Sequence, residues 1–202
     1  MIENKGGIWW PRLDVHCRIA CNSAQEDVKN IIQYCSKRNT VVQAGGNVGI
    51  WPLELSKYFT SVVTLEPDPE NYECLLKNTS DNPRIKSYNA GLSDKYEWVD
   101  LYREFDNCGA HYVRGEGEIE LFTLDGMNLG SCDLIALDIE GYEYKALVGA
   151  VKTIEKYHPS IVCEEKGLGK LHGIDKNAIA GMLSELGYKM RDKIGNDAIY
   201  TL

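Results

Sequence analysis

Short apolar runs alternate with stretches of helical spacing along most of this chain. The runs that predict strands cover 41–44, 62–66, 85–89, 134–138 and 160–163. The stretches that predict helices cover 23–36, 50–58, 69–78, 142–157 and 176–186. The run at 134–138 is continuously apolar, which is typical of a strand buried on both faces of a parallel sheet. Strands that alternate with helices predict an α/β fold with a doubly wound, mostly parallel sheet.

Two segments depart from this alternation and predict antiparallel strands. Between Val99 and Leu124 the apolar positions alternate with polar ones, which predicts a β-hairpin inserted beside the sheet. Two short runs, 188–190 and 198–200, flank Gly195-Asn196 and predict an antiparallel strand near the C-terminus. Residues 1–22 show no clean period and are expected to be irregular. We expect one domain over 1–202, because this length supports one substantial core.

A glycine-rich turn follows the first predicted strand. The sequence Ala44-Gly45-Gly46-Asn47-Val48-Gly49 precedes a helix, and a second strand ends in Glu66 about twenty residues later. Such a βαβ unit binds an adenosine-containing cofactor, and an acidic residue in this place accepts hydrogen bonds from ribose hydroxyls. Pro67 fixes the turn directly after Glu66. The unit is the most informative feature of the sequence.

Two cofactors compete for this turn. A dinucleotide site favours G-x-G-x-x-G, and only the last two glycines of that pattern are present, which is weak support for NAD. An S-adenosylmethionine site needs Gly45 and Gly49 with a small or polar residue between them. Asn47 suits that site, because its amide can meet the amino or carboxylate group of the methionine. The terminal hairpin likewise favours the sheet of class I methyltransferases over that of dehydrogenases.

Several longer segments resemble FkbM-type methyltransferases. The resemblance lies in the segment 124–126, in Asp133 through Glu143, in 146–150 and 159–164, and in Leu65-Glu66-Pro67-Asp68-Pro69 with Asn71 and Asn78 downstream. It covers most of 40–165 and implies a Rossmann-like class I fold and S-adenosylmethionine as cofactor. It also implies O-methylation of a sugar, a glycan or a secondary metabolite. One departure is Gln43, where the family usually carries an acidic residue that helps to bind the cationic end of the cofactor. Gln43 is expected to contact the cofactor there by a hydrogen bond, without a charge.

Further residues are expected at the carboxyl edge of the sheet, where open α/β folds bind ligands. Asn89 and Ala90 end the third strand and should form the adenine edge, although a plain turn is nearly as good an interpretation. Asp138 and Glu140 follow the fourth strand. Either carboxylate could act as general base or hold the acceptor hydroxyl, and Asp138 is also expected to contact the cofactor. The alternative is that both cap the following helix and complement its dipole.

Other candidate site residues rest on weaker patterns. His111 is a second candidate base, because its loop belongs to the insertion that could cover the cleft. Glu164 ends the fifth strand and could bind substrate, and Trp9 and Trp10 could form an apolar wall of the acceptor pocket unless they anchor the N-terminus. The carboxylates of 138, 140, 164 and 165 could hold Mg²⁺ or Ca²⁺. No spacing rule supports a metal, so none is assigned.

Composition narrows the partners. The formal charge is −8, with 30 acidic and 22 basic side chains, which disfavours nucleic acid. No signal-peptide pattern or bilayer-length apolar stretch is present, so we expect a cytoplasmic protein without a membrane partner. Seven scattered cysteines fit a reducing compartment.

The sequence therefore predicts an S-adenosylmethionine-dependent O-methyltransferase that acts on a small-molecule or glycan acceptor. The alternatives are an NAD-binding oxidoreductase and a catalytically silent cofactor-binding regulatory subunit.

Overall fold

The computed structural model describes residues 1–202. Its strands are β1 (Ile2–Lys5), β2 (Ile8–Pro11), β3 (Thr40–Ala44), β4 (Ser61–Leu65), β5 (Ile85–Tyr88), β6 (Gly91–Leu92), β7 (Glu97–Val99), β8 (Leu101–Tyr102), β9 (Tyr112–Val113), β10 (Ile119–Phe122), β11 (Leu134–Leu137), β12 (Ser160–Glu164), β13 (Lys189–Ile194) and β14 (Asp197–Thr201). Its α-helices are α1 (His16–Ala20), α2 (Ala24–Ile31), α3 (Ile50–Leu55), α4 (Pro69–Thr79), α5 (Glu143–Val148), α6 (Val151–Tyr157) and α7 (Ala178–Glu185). No helix is both long enough and apolar enough to cross a membrane.

A seven-stranded sheet in the order β13-β14-β12-β11-β3-β4-β5 forms the centre of the fold. Strands β5, β4, β3, β11 and β12 are parallel to their neighbours, and β14 runs antiparallel between β12 and β13. The predicted α/β fold and its antiparallel strand near the C-terminus are confirmed. The turn at Gly195-Asn196 joins β13 to β14 as expected.

Apolar side chains cover both faces of this sheet. Val42, Leu65, Ile135 and Ile161 belong to a core that includes residues of α5, α6 and α7. The alternate positions along the same strands face a second core with α2 and α3. Because both faces are buried, the strands appear in the sequence as continuous apolar runs.

The register of the parallel strands brings their carboxyl ends to one level. Ala44 of β3 pairs with Leu65 of β4 and with Leu137 of β11, and Leu137 pairs with Cys163 of β12. The residues that follow these positions therefore meet at one edge of the sheet.

The N-terminal segment is not irregular, and that expectation is wrong. Strands β1 and β2 form a hairpin whose turn uses Gly6 and Gly7, both at positive φ. The hairpin lies on α4, where the Asn78 side chain accepts from Trp9 N at 2.8 Å and donates to Trp9 O at 2.9 Å. Strands of four residues are too short to show a period in the sequence.

The inserted hairpin is present and is part of a larger arrangement. Strand β7 pairs antiparallel with β10, with Val99 opposite Ile119. Strand β10 also pairs in parallel with β6, and a second hairpin of β8 and β9 extends from it. The loop between β8 and β9 carries residues 103–111.

Two helices differ from their predicted form. Ser23 forms no capping box, because α1 and a 3₁₀ turn run directly into α2 and the Ser23 hydroxyl donates to Ala20 O instead. The predicted helix 142–157 is divided into α5 and α6. Gly149 lies at the break, where a Cβ would come within 2.1 Å of Ser93 O.

Candidate active site

A cavity of about 720 Å³ opens at the carboxyl edge of the central sheet. Its wall includes the residues that follow the four aligned strands: Gly45 after β3, Glu66 after β4 and Asp138 after β11, with Glu164 at the end of β12. Small-molecule sites typically have about 300 to 1,000 Å³. The edge predicted to bind a ligand is thus the edge that carries the cavity.

The glycine turn has a backbone that only glycine accommodates at its first position. Gly45 has a φ of +89°, and a Cβ there would lie 1.9 Å from the carbonyl oxygen of Asp138. Gly49, at +97°, would place a Cβ 3.1 Å from a methyl carbon of Thr79. Asn47 lies between them at a φ of +47°. The turn therefore packs tightly against β11 and α4, and Gly45 and Asn47 line the cavity.

Glu66 connects the glycine turn after β3 to the turn that follows β4. One carboxylate oxygen accepts from Asn47 N at 2.7 Å and the other from Asp68 N at 2.9 Å. Burial raises the pKa of Glu66 to about 7, although these two backbone N–H groups lower it. Each oxygen has two lone pairs, so each can accept one more hydrogen bond. Glu66 and the adjacent Pro67 both line the cavity, as expected for a ribose site.

Gln43 does not line the cavity, which argues against its expected contact with a cofactor. Its side chain is buried, donates to Gly45 O at 2.7 Å and accepts from the Thr64 hydroxyl at 2.6 Å. The physical reason is the alternation of β3, which directs residue 43 into the protein while the turn after Ala44 faces the ligand. Gln43 fastens the glycine turn to β4.

Asn89 and Ala90 also lie outside the cavity wall, in contrast to the expectation for an adenine edge. The Asn89 amide donates to Glu66 O and Pro67 O at 2.9 and 3.1 Å, so it supports the turn after β4. Ala90 is buried. The apolar wall is formed one step further along, by Gly91, Leu92 and, from β10, Leu121.

Three carboxylates meet at the other end of the cavity. Oxygens of Asp138, Glu140 and Glu164 lie within 4.8 Å of one another, and Asp138 is exposed while the other two are buried. The Lys166 ammonium contacts Glu140 at 3.2 Å and Glu164 at 2.5 Å. Burial and the charge of Asp138 raise the pKa of Glu164 to about 9, and the same causes raise the pKa of Glu140.

Glu143, and not Asp138 or Glu140, stabilises the start of the helix that follows β11. Glu143 accepts from the backbone N–H groups of Ile139 and Gly141, and burial raises its pKa to about 7. Asp138 and Glu140 make no such bond and face the cavity. Glu140 has a φ of +53°, a left-handed conformation that is uncommon for a residue with a Cβ and clusters at functional sites.

His111 lines the cavity but lies apart from these carboxylates. Its Nδ1 is 3.6 Å from Asp68, at the start of α4 beyond β4, whereas Asp138 follows β11 and β3 lies between those strands. The 103–111 loop, which carries both His111 and Cys108, is held on α4, because Asn71 donates to Cys108 O at 2.8 Å. The structure therefore places His111 at the Glu66 end and not beside Asp138, which argues against its predicted role as base.

Trp9 and Trp10 do not form a wall of the cavity. Trp10 is buried with Val48 and Cys74, and the Trp9 ring lies under the Lys77 ammonium. Both side chains anchor the N-terminal hairpin to α4. Their expected role in acceptor binding is contradicted by this position.

Sequence reasoning assigned no role to several residues of the wall. Lys166 lies two residues after Glu164, and no sequence pattern indicated it. Asn71 belongs to the FkbM resemblance, but only the structure shows that its buried Oδ1 has no hydrogen-bond partner. Cys17 and Cys21 reach the cavity from α1 and the 3₁₀ turn after it, which no pattern in the sequence predicted.

The residues present fit S-adenosylmethionine. Glu66 has free lone pairs for ribose hydroxyls, and the unpartnered Asn71 oxygen offers a further acceptor in the same wall. The opposite end is acidic, which suits the positive sulfonium and amino groups of that cofactor. Leu92 and Leu121 supply apolar surface between hydrophilic ends.

Comparison with known proteins identifies the family and the fold. The model of the methyltransferase FkbM domain family matches residues 43–190. The crystal structure of methyltransferase FkbM from Methylobacillus flagellatus KT superposes with a TM-score of 0.58 at 18% identity, over 82% of this chain and 44% of that chain. The present chain thus spans less than half the length of that protein. No curated protein sequence matches this chain.

Two further solved structures share the fold. The ribosomal protein L11 methylase of Lactobacillus delbrueckii subsp. bulgaricus has a TM-score of 0.53 at 13% identity, over 90% of this chain and 78% of that one. The precorrin 8w decarboxylase of Methanobacterium thermoautotrophicum has a TM-score of 0.52 at 12% identity, over 89% of each chain. The chain belongs to the FkbM methyltransferase domain family, and its α/β fold is that of class I S-adenosylmethionine-dependent methyltransferases.

Proposed function

We propose that this chain transfers the methyl group of S-adenosylmethionine to a hydroxyl oxygen of a sugar, a glycan or a small polar metabolite. The observation that carries the proposal is the exposed carboxylate of Asp138, which lies on the cavity wall directly beside the glycine turn. The bound cofactor supplies an electrophilic methyl group. Asp138 supplies a base at the end of the cavity where an acceptor can enter.

A hydroxyl acceptor must be oriented and must lose its proton as its oxygen forms the new bond to carbon. Asp138 can accept the hydrogen bond of that hydroxyl and then its proton, which is general base catalysis worth typically 10²- to 10⁴-fold. Holding the acceptor oxygen in line with the methyl group contributes further, since orientation removes an entropic part of the barrier. Glu66 has no such role, because it lies at the ribose end.

The neighbours of Asp138 keep its carboxylate available. Glu164, whose pKa is raised to about 9 by burial and by the charge of Asp138, holds its proton near neutral pH and can donate it in a hydrogen bond to Asp138. Lys166 adds a positive charge against Glu140 and Glu164. One proton and one ammonium therefore offset two of the three carboxylates, and Asp138 remains as the exposed one.

The charge of the wall supports a neutral or cationic acceptor. One lysine and six acidic side chains line the cavity, the acidic ones being Asp27, Glu66, Asp138, Glu140, Glu164 and Asp197. Such a wall repels the phosphates of nucleic acids and the pyrophosphate of NAD. The alternative of an NAD-binding oxidoreductase is therefore weakened by electrostatics as well as by the incomplete glycine pattern.

Calorimetric titration with S-adenosylhomocysteine, with NAD as control, tests the cofactor. Micromolar binding of the first and none of the second is expected. Binding of NAD alone would refute the proposal.

A panel of hydroxylated acceptors then tests the transfer, with release of S-adenosylhomocysteine as the signal. Asp138→Asn should lower turnover by 10²-fold or more when the cofactor is saturating. Asp81→Asn, at an exposed surface position, is the matched control. Cofactor binding without transfer to any hydroxyl, amine or thiol would instead support the silent regulatory subunit.

A further inference from the structure

Three thiols line the cavity outside the carboxylate cluster, and the sulfur of Cys17 is close to each of the other two. Cys17 lies on α1, Cys21 begins the 3₁₀ turn after it, and Cys108 lies in the loop between β8 and β9. The sulfur of Cys17 is 3.9 Å from that of Cys21. The Cys108 sulfur, the Cys17 sulfur and a carboxylate oxygen of Asp14 lie within 4.8 Å of one another, and all three residues are buried.

Asp14 brings two of these cysteines together through their backbones. One of its oxygens accepts from Cys17 N at 3.3 Å and from Cys108 N at 3.0 Å, although these residues are 91 positions apart. Its other oxygen accepts from Arg18 N at 3.0 Å. Only 2% of Asp14 is exposed. Because this buried carboxylate joins the start of α1 to a loop that is distant in the sequence, the fold itself keeps Cys17 and Cys108 close together.

Asn47 closes the cluster on the side of the glycine turn. Its amide donates to the Cys17 sulfur at 3.4 Å and to Cys108 O at 3.2 Å. An N–H group directed at sulfur stabilises a negative charge there. Cys35, Cys132 and Cys163 lie in other apolar clusters, whereas Cys74 packs in the same buried cluster as Cys17 and Cys108.

We propose that Cys17, Cys21 and Cys108 bind a soft divalent metal ion of the zinc class, with Asp14 positioned beside them. Zinc–sulfur bonds of about 2.3 Å in a tetrahedral site place neighbouring sulfurs about 3.8 Å apart. The 3.9 Å between Cys17 and Cys21 has this length. Thiolate ligands select such soft ions over Mg²⁺ or Ca²⁺. Each thiol releases its proton to solvent as its sulfur binds the metal.

The carboxylate cluster at the other end is a weaker candidate for a metal. There the Lys166 ammonium already contacts Glu140 and Glu164. Beside the thiols, in contrast, no Lys or Arg side chain forms an ion pair with Asp14, whose carboxylate accepts only backbone N–H groups. An ion held by the three sulfurs would join α1 to the 103–111 loop, and residues of both line the cavity.

Titration of the reduced, untagged, metal-free protein with Cd²⁺ tests the site. Cadmium–thiolate coordination produces ultraviolet charge-transfer absorption, and we expect saturation at one ion per chain with displacement by Zn²⁺. Cys21→Ser, at a partly exposed position that keeps the buried pair intact, should weaken binding by tenfold or more. Cys17→Ser and Cys108→Ser should do the same, while Cys132→Ser should leave binding unchanged.

The variants also separate a lost ligand from a lost fold. Circular dichroism and the unfolding temperature of each variant without metal show whether it is folded. Zn²⁺ should raise the unfolding temperature of the wild type and of Cys132→Ser but not of Cys21→Ser. Absorption that survives in a folded Cys21→Ser/Cys108→Ser double variant, or that is absent in the wild type, would overturn the proposal.

Discussion

The ionisation of Glu66 should control the affinity for the cofactor. Burial raises its pKa to about 7, while the N–H groups of Asp68 and Asn47 lower it. Ribose hydroxyls donate hydrogen bonds, so they bind the ionised carboxylate more strongly than the protonated acid. The affinity for S-adenosylhomocysteine should therefore rise as the pH increases through 7.

The pKa sets the size of this effect. A group with a pKa near 7 is about 90% ionised at pH 8 and about 10% ionised at pH 6. The affinity should thus fall about tenfold between pH 8 and pH 6. Glu66→Gln removes the charge, and since hydrogen bonds to charged groups contribute about 1.5 to 3 kcal/mol, it should weaken binding about 10- to 100-fold at pH 8. Its affinity should no longer depend on pH in this range.

The raised pKa of Glu66 makes the cofactor-free protein less stable as the pH rises, whereas it makes cofactor binding stronger. The carboxyl of an unfolded chain ionises near pH 4.5, whereas the folded one ionises near pH 7. Between these values the unfolded state loses its proton first, so the free energy of unfolding decreases as the pH rises. At about 1.4 kcal/mol per pH unit the loss is at most roughly 3 kcal/mol and is complete above pH 7. Cofactor binding should offset it.

Calorimetry at pH 6, 7 and 8 measures the effect, and buffers with different ionisation enthalpies count the protons released. About half a proton should be released per chain at pH 7. Glu143→Gln is the matched control, because Glu143 is buried with a pKa of about 7 but accepts its hydrogen bonds from Ile139 and Gly141, outside the cavity wall. Equal affinity at pH 6 and pH 8 would refute the reasoning. So would an unchanged pH dependence in Glu66→Gln.

Three further substitutions have definite expected outcomes. Gly45→Ala would place a Cβ 1.9 Å from Asp138 O and should lower the free energy of unfolding in urea by about 2 to 4 kcal/mol, whereas Gly130→Ala, with nothing within 4 Å, should not lower it. Gln43→Glu would place a carboxylate against Gly45 O and should lower the free energy of thermal unfolding by about 1 to 3 kcal/mol. Calorimetry should show no gain in affinity for S-adenosylhomocysteine, and tighter binding would contradict the buried position of Gln43. Lys166→Met should raise the pKa of Glu140 and Glu164 further and shift the pH–rate profile to higher pH, whereas Lys166→Arg should retain the wild-type profile. An unshifted profile of Lys166→Met would contradict the proposed electrostatic role of Lys166.

The sheet and the residues at its edge could be predicted because their causes are local. A parallel strand covered on both faces needs a continuous apolar run, and the runs ending near Ala44, Leu65, Leu137 and Cys163 are aligned in the sheet. The polar residues that follow these strands then lie at the carboxyl edge of the sheet, independently of the conformation of the loops. Glu66 and Asp138 were therefore predicted at the cavity from their place after a strand.

Residues that depend on distant contacts could not be placed in this way. For Trp9 and Trp10 the sequence allows either a wall of the acceptor pocket or an anchor of the N-terminus, and the choice depends on contacts with α4 such as that of Trp9 with Asn78, nearly seventy positions later. His111 sits in an insertion whose loop is held by Asp14 and Asn71. Gln43 was misplaced for a local reason, since alternation along β3 turns its side chain away from the ligand that the adjacent turn faces.

Part of the cavity wall lies outside the segment matched by the family model, and the two proposals can be tested separately. The family match begins at residue 43, so it includes the Glu66 and Asp138 ends but not Asp14, Cys17 or Cys21. Glu66→Gln should abolish the pH dependence of cofactor binding and leave cadmium absorption intact. Cys21→Ser should weaken cadmium binding and keep that pH dependence. Loss of both properties in a variant that circular dichroism shows to be folded would indicate that the α1 contact and the sheet edge form one cooperative unit.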